Sequence, residues 1–140
     1  MEKVVLTTPI KMACIPLVTS SAREVCKMIK APQLPIDFCY SVELAVCEAC
    51  TNMVRHSDQD TSEAMTVTFE ILSDRLVTHL MDKGRGFDLD RVPEPDFGEP
   101  AEGGYGVYLI RTKMDEVTYC REGQTNTLSM IKYFTESTYP

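Results

Sequence analysis

The long segment IDFCYSVELAVCEACTNMVRHS constrains the fold more than any other part of the chain. Apolar side chains recur along it at helical spacing, namely Val42, Val46, Ala49, Cys50 and Met53. The segment is therefore predicted to form a long amphipathic helix. Such a helix is stable only if a second layer covers its apolar stripe.

Alternating segments elsewhere in the chain supply that second layer. A loose alternation from Lys3 to Thr8 predicts a first strand, and MTVTFEIL and RLVTHLMD predict two more, joined by a turn at Ser73-Asp74. EVTYC and TLSMIKYF are predicted to form a closing hairpin around Glu122-Gly123.

Two further helices complete the pattern. Ser21-x-x-Glu24 has the spacing of a capping box, so we expect a first helix to start there and to continue to about Lys30. GVYLIRTKM is predicted to be a short third helix. The order β, α, α, β, β, α, β, β predicts one α+β domain over residues 1–140, a two-layer sandwich with helices on one face of a mostly antiparallel sheet.

Composition excludes several classes of protein. The net charge of −7 argues against a partner held through a nucleic-acid backbone, since such proteins carry a basic surface. No apolar run approaches the roughly 20 residues that cross a bilayer, and the first residues do not form a signal peptide. We expect a cytoplasmic protein that binds neither nucleic acid nor membrane.

The stretch AVCEACTN on the long helix contains two candidate pairs. Cys47-x-x-Cys50 suggests redox or metal chemistry, and Glu48-x-x-x-Asn52 places a carboxylate and an amide one helical turn apart. At about 100° per residue, Glu48, Asn52 and Arg55 point roughly opposite the apolar stripe, whereas Cys50 points with it. Packing is the favoured role for the cysteines, and a thiol redox sensor remains a minor alternative.

Two glycine motifs follow downstream. In DKGRGFD, Asp82 ends a strand and precedes Gly84 and Gly86, so a flat ring could approach the backbone beside a carboxylate. In EGGYGVYLI, glycines that include Gly104 and Gly106 open a helix, and free N–H groups there favour an anion. The spacings fit neither a Rossmann fingerprint nor a P-loop.

Taken together, the three motifs resemble the nucleotide site of the gyrase, heat-shock chaperone and histidine-kinase ATPase superfamily, whose sandwich is the Bergerat-type ATP-binding fold. VCEACTNMVRH, DKGRGF and GGYGVYLIRTKMDEV are similar to the anti-sigma factor serine kinases that control sporulation and general-stress sigma factors. The resemblance covers almost the whole chain. It implies a serine/threonine-protein kinase that uses ATP and Mg²⁺.

The resemblance also implies roles for individual residues. Glu48 corresponds to the general base and Asn52 to the Mg²⁺ ligand. A larger set would contact the nucleotide. Asn52 would do so through the Mg²⁺ ion, and Arg55 would reach a phosphate. Asp82 would read the amino group of adenine, with Gly84 and Gly86 beside the base. Gly104 and Gly106 would face the phosphates, and Thr127 would touch the network on the adenine side. Arg23 corresponds to a position that faces protein partners.

The implied substrate is a STAS-type antagonist of an anti-sigma factor. A sigma factor or a phosphatase is a further implied partner. A homodimer is also implied, because members of the family are commonly dimers. One alternative function remains open. No Lys or Arg lies between Val92 and Ile110, which favours a nucleotide-dependent binding module without significant kinase activity.

Overall fold

The computed structural model describes residues 2–31, 34–57, 63–84 and 104–135 of the chain. The strands within them are Glu2–Pro9 (β1), Ala64–Ile71 (β2), Arg75–Asp82 (β3), Glu116–Glu122 (β4) and Thr125–Tyr133 (β5). The helices are Ile15–Lys27 (α1), Phe38–His56 (α2) and Gly104–Lys113 (α3), and a 3₁₀ turn at Met12–Cys14 precedes α1. The order of strands and helices predicted from the sequence is confirmed.

The strands form one sheet in the order β1-β2-β3-β5-β4, and all four neighbouring pairs are antiparallel. Met65, Val67 and Phe69 alternate along β2 and are fully buried in the same core cluster as residues of the helices. Strand alternation sends the intervening residues to the opposite face. The predicted α+β sandwich, with helices on one face of an antiparallel sheet, is confirmed.

Helix α1 begins earlier than the capping box predicts. Ser21 lies inside the helix, where its hydroxyl donates a hydrogen bond to the carbonyl of Leu17 at 2.8 Å. The helix starts instead at Ile15, with Pro16 in the first turn, where its missing N–H costs no hydrogen bond. The buried residues of α1 recur at helical spacing and form one apolar side of the helix: Ile15, Val18, Ala22, Val25 and Cys26.

The closing hairpin forms, with its turn one residue later than predicted. Glu122 pairs with Thr125, so Gly123 and Gln124 alone connect the strands. Gly123 has a φ of 61°, and the described residues other than glycine have no positive φ. A glycine at the first turn position is typical of a type II′ turn, whose twist matches that of the strands. Separately, no helix in the described ranges is long and apolar enough to cross a membrane.

Candidate functional site

Helices α2 and α3 meet where α3 begins, and this contact brings three of the predicted site residues together. A Cβ added to Gly106 would lie 2.9 Å from Oε2 of Glu48 and 3.5 and 3.6 Å from Nδ2 and Oδ1 of Asn52. Glycine lets the first turns of α3 approach the carboxylate and the amide this closely without displacing the Glu48 side chain. The spacing predicted on α2 therefore becomes a cluster under the N-terminal end of α3.

Asn52 is more buried than a helix residue opposite the apolar stripe should be. Only 3% of it is exposed, because α3 covers that side of α2 while the sheet covers the other. Within the described parts of the chain, its Nδ2 atom has no hydrogen-bond partner. A buried amide group without a partner costs free energy, so this position is suited to a ligand that completes it.

The other end of the site is the turn after β3. Asp82 is the last residue of β3, and one of its carboxylate oxygens, Oδ2, accepts a hydrogen bond from the N–H of Gly84 at 3.1 Å. A Cβ on Gly84 would stand 3.0 Å from that oxygen and 3.0 Å from Oε2 of Glu63. Gly84 is thus closely packed between two carboxylates, and a larger residue there would have to displace one of them.

Asn126 fixes this turn, although the motif analysis did not single it out. It lies opposite Asp82 in the sheet register and is 1% exposed. Its Nδ2 donates to the carbonyl of Gly84 at 2.9 Å, and its Oδ1 accepts from Arg121 at 2.7 Å and from Tyr119 at 3.0 Å. Arg121 also donates to the Gly84 carbonyl at 3.0 Å. A buried polar residue inside an apolar alternation was the available sequence signal.

Thr127 and Asn126 lie on opposite faces of β5. Asn126, Leu128 and Met130 are the buried residues of β5, so alternation turns Thr127 to the face of the sheet away from the helices. Asp82 shares the helix-side face with the buried Leu76 and Leu80. A shift of one residue along a strand exchanges the faces, and Asn126 is the residue that shares a face with Asp82.

The remaining predicted residues have simpler placements. Gly104 is the first residue of α3, two residues earlier than the predicted helix start at Gly106. Arg55 lies exposed in the last turn of α2, where a positive charge favours the helix dipole. Arg23 pairs with Glu43 across α1 and α2. Gly86 lies outside the described residues.

Cys50 of the cysteine pair is poorly suited to redox or metal chemistry. Cys50 is fully buried, and burial raises the pKa of its thiol to about 12. Such a thiol is protonated at neutral pH and is a poor nucleophile. Within the described ranges, no three His, Cys, Asp or Glu side chains group as metal ligands. Packing is therefore the role that the structure supports for Cys50.

The structure is an α+β sandwich in which the carboxylate of Glu48 and the amide of Asn52 lie beneath α3, a helix that begins with a glycine. Residues 15–132 match the histidine kinase-like ATPase domain family, and the chain belongs to that family. The predicted family resemblance is thereby confirmed.

Similar curated proteins include the serine-protein kinases RsbW of Bacillus velezensis and Bacillus subtilis, 36% and 35% identical over 101 residues. Each alignment covers 66% of this chain and 62% of the relative. The chain therefore spans less than two thirds of the length of these relatives.

Solved structures give the same fold. The crystal structure of the RsbU and RsbW domains of a Mycobacterium tuberculosis protein superposes with a TM-score of 0.67 at 11% identity, over 94% of this chain and 32% of that one. The histidine kinase domain of a blue-light activated kinase from Erythrobacter litoralis gives 0.56 at 18% identity, over 90% and 61%. At these identities the likeness concerns the fold alone.

Proposed function

We propose that this protein is an ATP-dependent serine/threonine-protein kinase that phosphorylates a STAS-type antagonist of an anti-sigma factor. The observation that carries the proposal is the contact of Gly106 with Glu48 and Asn52. It places a candidate base and a candidate metal ligand beneath the start of a helix, where N–H groups favour phosphate oxygens. Membership of an ATPase domain family and identity to serine-protein kinases support the same function.

Each end of the site has a separate task in this proposal. Asp82 accepts a hydrogen bond from the amino group of adenine, while Gly84 and Gly86 leave room for the ring. Gly104 and Gly106 present the backbone of α3 to the phosphates. Asn126 keeps the Gly84 peptide in place, so that the Asp82 carboxylate stays oriented toward the base.

Glu48 is the proposed general base. Its carboxylate accepts the proton of a substrate serine or threonine hydroxyl as the hydroxyl oxygen forms a bond to the γ-phosphorus of ATP. The bond from that phosphorus to the bridging oxygen breaks, and ADP leaves with the electron pair. The products are a phosphorylated protein and ADP, and the proton is released from Glu48 to water.

The amide oxygen of Asn52 fits a Mg²⁺ site, since this hard cation accepts such a ligand alongside phosphates and water. The Nδ2 atom, which has no partner among the described residues, is a donor and suits a phosphate oxygen. Bound there with ATP, Mg²⁺ would offset negative charge on the transferring phosphoryl group. Asn52 would hold the Mg²⁺ ion from beneath α3.

A sigma factor is the proposed second partner, by the family resemblance, and a phosphatase activator is the alternative substrate. A homodimer is the proposed assembly on the same ground. These partners rest on the similarity to the serine-protein kinases and on no contact within this chain.

The test is phosphate transfer from labelled ATP to a purified STAS-type protein, with binding of ATP measured separately by calorimetry. Glu48→Gln should lower the transfer rate by about 100-fold or more and leave ATP binding intact, because only the proton acceptor is lost. Asp82→Asn should weaken ATP binding itself. Glu70→Gln is the control, since Glu70 is on β2 and its carboxylate lies 3.9 Å from Nε2 of His79, away from the helices.

Two results would contradict the proposal. Unchanged transfer by Glu48→Gln would remove Glu48 as the base. Nucleotide-dependent binding of the partner by the wild type, with no phosphorylated partner in the mass spectrum, would favour the alternative of a binding module without kinase activity.

A further inference from the structure

Arg121 belongs to a row of side chains that crosses three strands at one end of the sheet. It pairs with Asn126 in the register of β4 and β5, and Asn126 pairs with Asp82 in the register of β5 and β3. Cross-strand partners share a face of the sheet, so all three side chains lie on the side that the helices cover. Strand β4 is at the edge of the sheet, beyond β5. The row therefore links that edge to the turn after β3.

Two side chains of this row converge on the carbonyl oxygen of Gly84. Nη1 of Arg121 donates a hydrogen bond to it at 3.0 Å, and Nδ2 of Asn126 donates another at 2.9 Å. A carbonyl oxygen has two lone pairs, so these two donors use its full acceptor capacity. Nη1 of Arg121 also donates to Oδ1 of Asn126 at 2.7 Å, which fixes the two donors relative to each other. The Gly84 carbonyl is thus held from two sides.

The hold on this carbonyl extends to the carboxylate of Asp82. The N–H of Gly84 donates to Oδ2 of Asp82 at 3.1 Å, so Gly84 is bound through both its N–H and its carbonyl group. Without such bonds a glycine has wide freedom in φ and ψ. Asp82 is partly exposed, and the Gly84 N–H uses only its Oδ2, so Oδ1 is the oxygen that the proposed site assigns to adenine. The orientation of that oxygen depends on Arg121 through Gly84.

Arg121 makes these contacts from an exposed position. Asn126, in contrast, is 1% exposed, and its Oδ1 also accepts a hydrogen bond from the hydroxyl of Tyr119 at 3.0 Å. The guanidinium of an exposed arginine is hydrated in the unfolded chain as well, so its contacts contribute little to stability. They do add a charge-assisted hydrogen bond of fixed geometry to the turn. A change at Arg121 should therefore alter the turn and leave folding nearly unaffected.

We propose that Arg121 is a positioning residue for recognition of adenine, which orients the Asp82 carboxylate by holding the carbonyl of Gly84. This inference rests on the proposed nucleotide site and adds to it a residue of the edge strand that sets base preference. Arg121 contacts no nucleotide atom in this proposal and has no part in phosphoryl transfer.

The test compares ATP with purine riboside triphosphate, which has the same ring system, sugar and phosphates but lacks the amine. Dissociation constants for both are measured by calorimetry with Mg²⁺ on the wild type and on Arg121→Met. The preference of the wild type for ATP should fall about fivefold in Arg121→Met, as expected when one typical hydrogen bond is lost. Affinity for purine riboside triphosphate should stay the same, because that ligand has no amine for Asp82 to accept.

A second readout reports on the turn itself. Exchange of the Gly84 amide hydrogen, followed by NMR in the nucleotide-free protein, should be about fivefold faster in Arg121→Met, because the turn that holds this N–H against Asp82 opens more often. Arg75→Met is the matched control. It removes the same charge from the opposite end of β3, where Arg75 pairs with Asp74, and should keep the wild-type preference and exchange rate.

Thermal unfolding establishes that each variant is folded, and if Arg121→Met does not fold, Arg121→Lys carries the test. Lysine keeps the charge but has no planar fork to hold the Gly84 carbonyl and Asn126 together, so the preference for ATP should again fall.

Four outcomes overturn the inference. An equal loss of affinity for both triphosphates would mean that Arg121 acts through its charge or through folding. An unchanged preference, or unchanged exchange at Gly84, would remove Arg121 from the support of Asp82. If the wild type binds neither triphosphate, or binds both equally, the proposed reading of adenine fails as well. A wild-type preference for ATP that survives in Arg121→Met overturns this inference alone.

Discussion

Replacing Gly106 by alanine should separate stability from catalysis. The new methyl group would lie 2.9 Å from Oε2 of Glu48, which is too close for a carbon and an oxygen atom. The two amide atoms of Asn52, at 3.5 and 3.6 Å, are at ordinary contact distance. The Glu48 carboxylate ends a flexible side chain, so it should rotate away while the helices keep their positions.

The two effects have opposite signs. Alanine in place of glycine stabilises a helix by about 0.5–1 kcal/mol. Moving Glu48 into a less favourable rotamer costs a similar amount or less, about 0.5 kcal/mol. The free energy of unfolding should therefore remain unchanged or rise by no more than about 1 kcal/mol. A base displaced by roughly 1 Å costs about 100-fold in rate, so phosphate transfer should fall to that extent.

The measurements are urea unfolding and the rate of transfer from labelled ATP. Thr112→Ala is the matched control, because Thr112 is exposed on the same helix and alanine raises helix propensity there by about 0.5 kcal/mol. It should gain similar stability and retain full transfer.

Full transfer in Gly106→Ala would refute the role assigned to the Glu48 carboxylate and its position under α3. A loss of more than about 2 kcal/mol of stability would show that the contact cannot relax through Glu48, and would refute the structural part of the reasoning.

Three further results are expected. Thr78→Val should raise the free energy of unfolding by about 1 kcal/mol in urea titrations, because the Thr78 hydroxyl is fully buried and, among described residues, unpaired; a loss would contradict this. Asn126→Ala should lower it by about 2 kcal/mol and weaken ATP binding in calorimetry, since the Gly84 carbonyl and Tyr119 lose a partner; unchanged affinity would remove Asn126 from the site's support. Iodoacetamide at pH 8 should modify the exposed Cys120 but not Cys50, because burial raises the pKa of the Cys50 thiol to about 12; peptide mass spectrometry would show which thiol reacts. In the unfolded chain the Cys50 thiol ionises near its ordinary pKa of 9.0. The free energy of unfolding should therefore decline above pH 9.

The elements with strong periodicity were predictable from the sequence. Strand β3 runs from Arg75 to Asp82 as its pattern predicts, and α2 differs from its predicted bounds by a residue or two at each end. Both carry apolar residues at one clear period, so the favoured conformation and the buried face agree. The start of α1 was wrong because a capping-box spacing at Ser21 competed with the weaker signal of Pro16 in a first turn.

The site was predictable in part. The motifs found Glu48, Asn52 and Gly106, which the structure brings together. The rotation per residue along α2 predicted that Asn52 points away from the apolar stripe. It could not predict that α3 covers this side of α2 and buries Asn52. For Asn126 and Thr127 on β5, no local pattern marks which of the two adjacent polar residues faces the helices.

The approach of Glu63 to Gly84 was not predictable from any local pattern. It depends on the register between β2 and β3, which is a property of residues distant in sequence. Because β2 and β3 are antiparallel, Glu63, which precedes β2, lies beside Gly84, which follows β3.

The amide nitrogen of Asn52, unpaired among the described residues, bears on how long the protein persists in a cell. It leaves the empty fold with an unmet donor, so a ligand that completes it adds its binding free energy to that of folding. Proteases remove chains that unfold more often. We therefore expect that the steady-state amount of this protein falls when its nucleotide pool is depleted, independently of transcription.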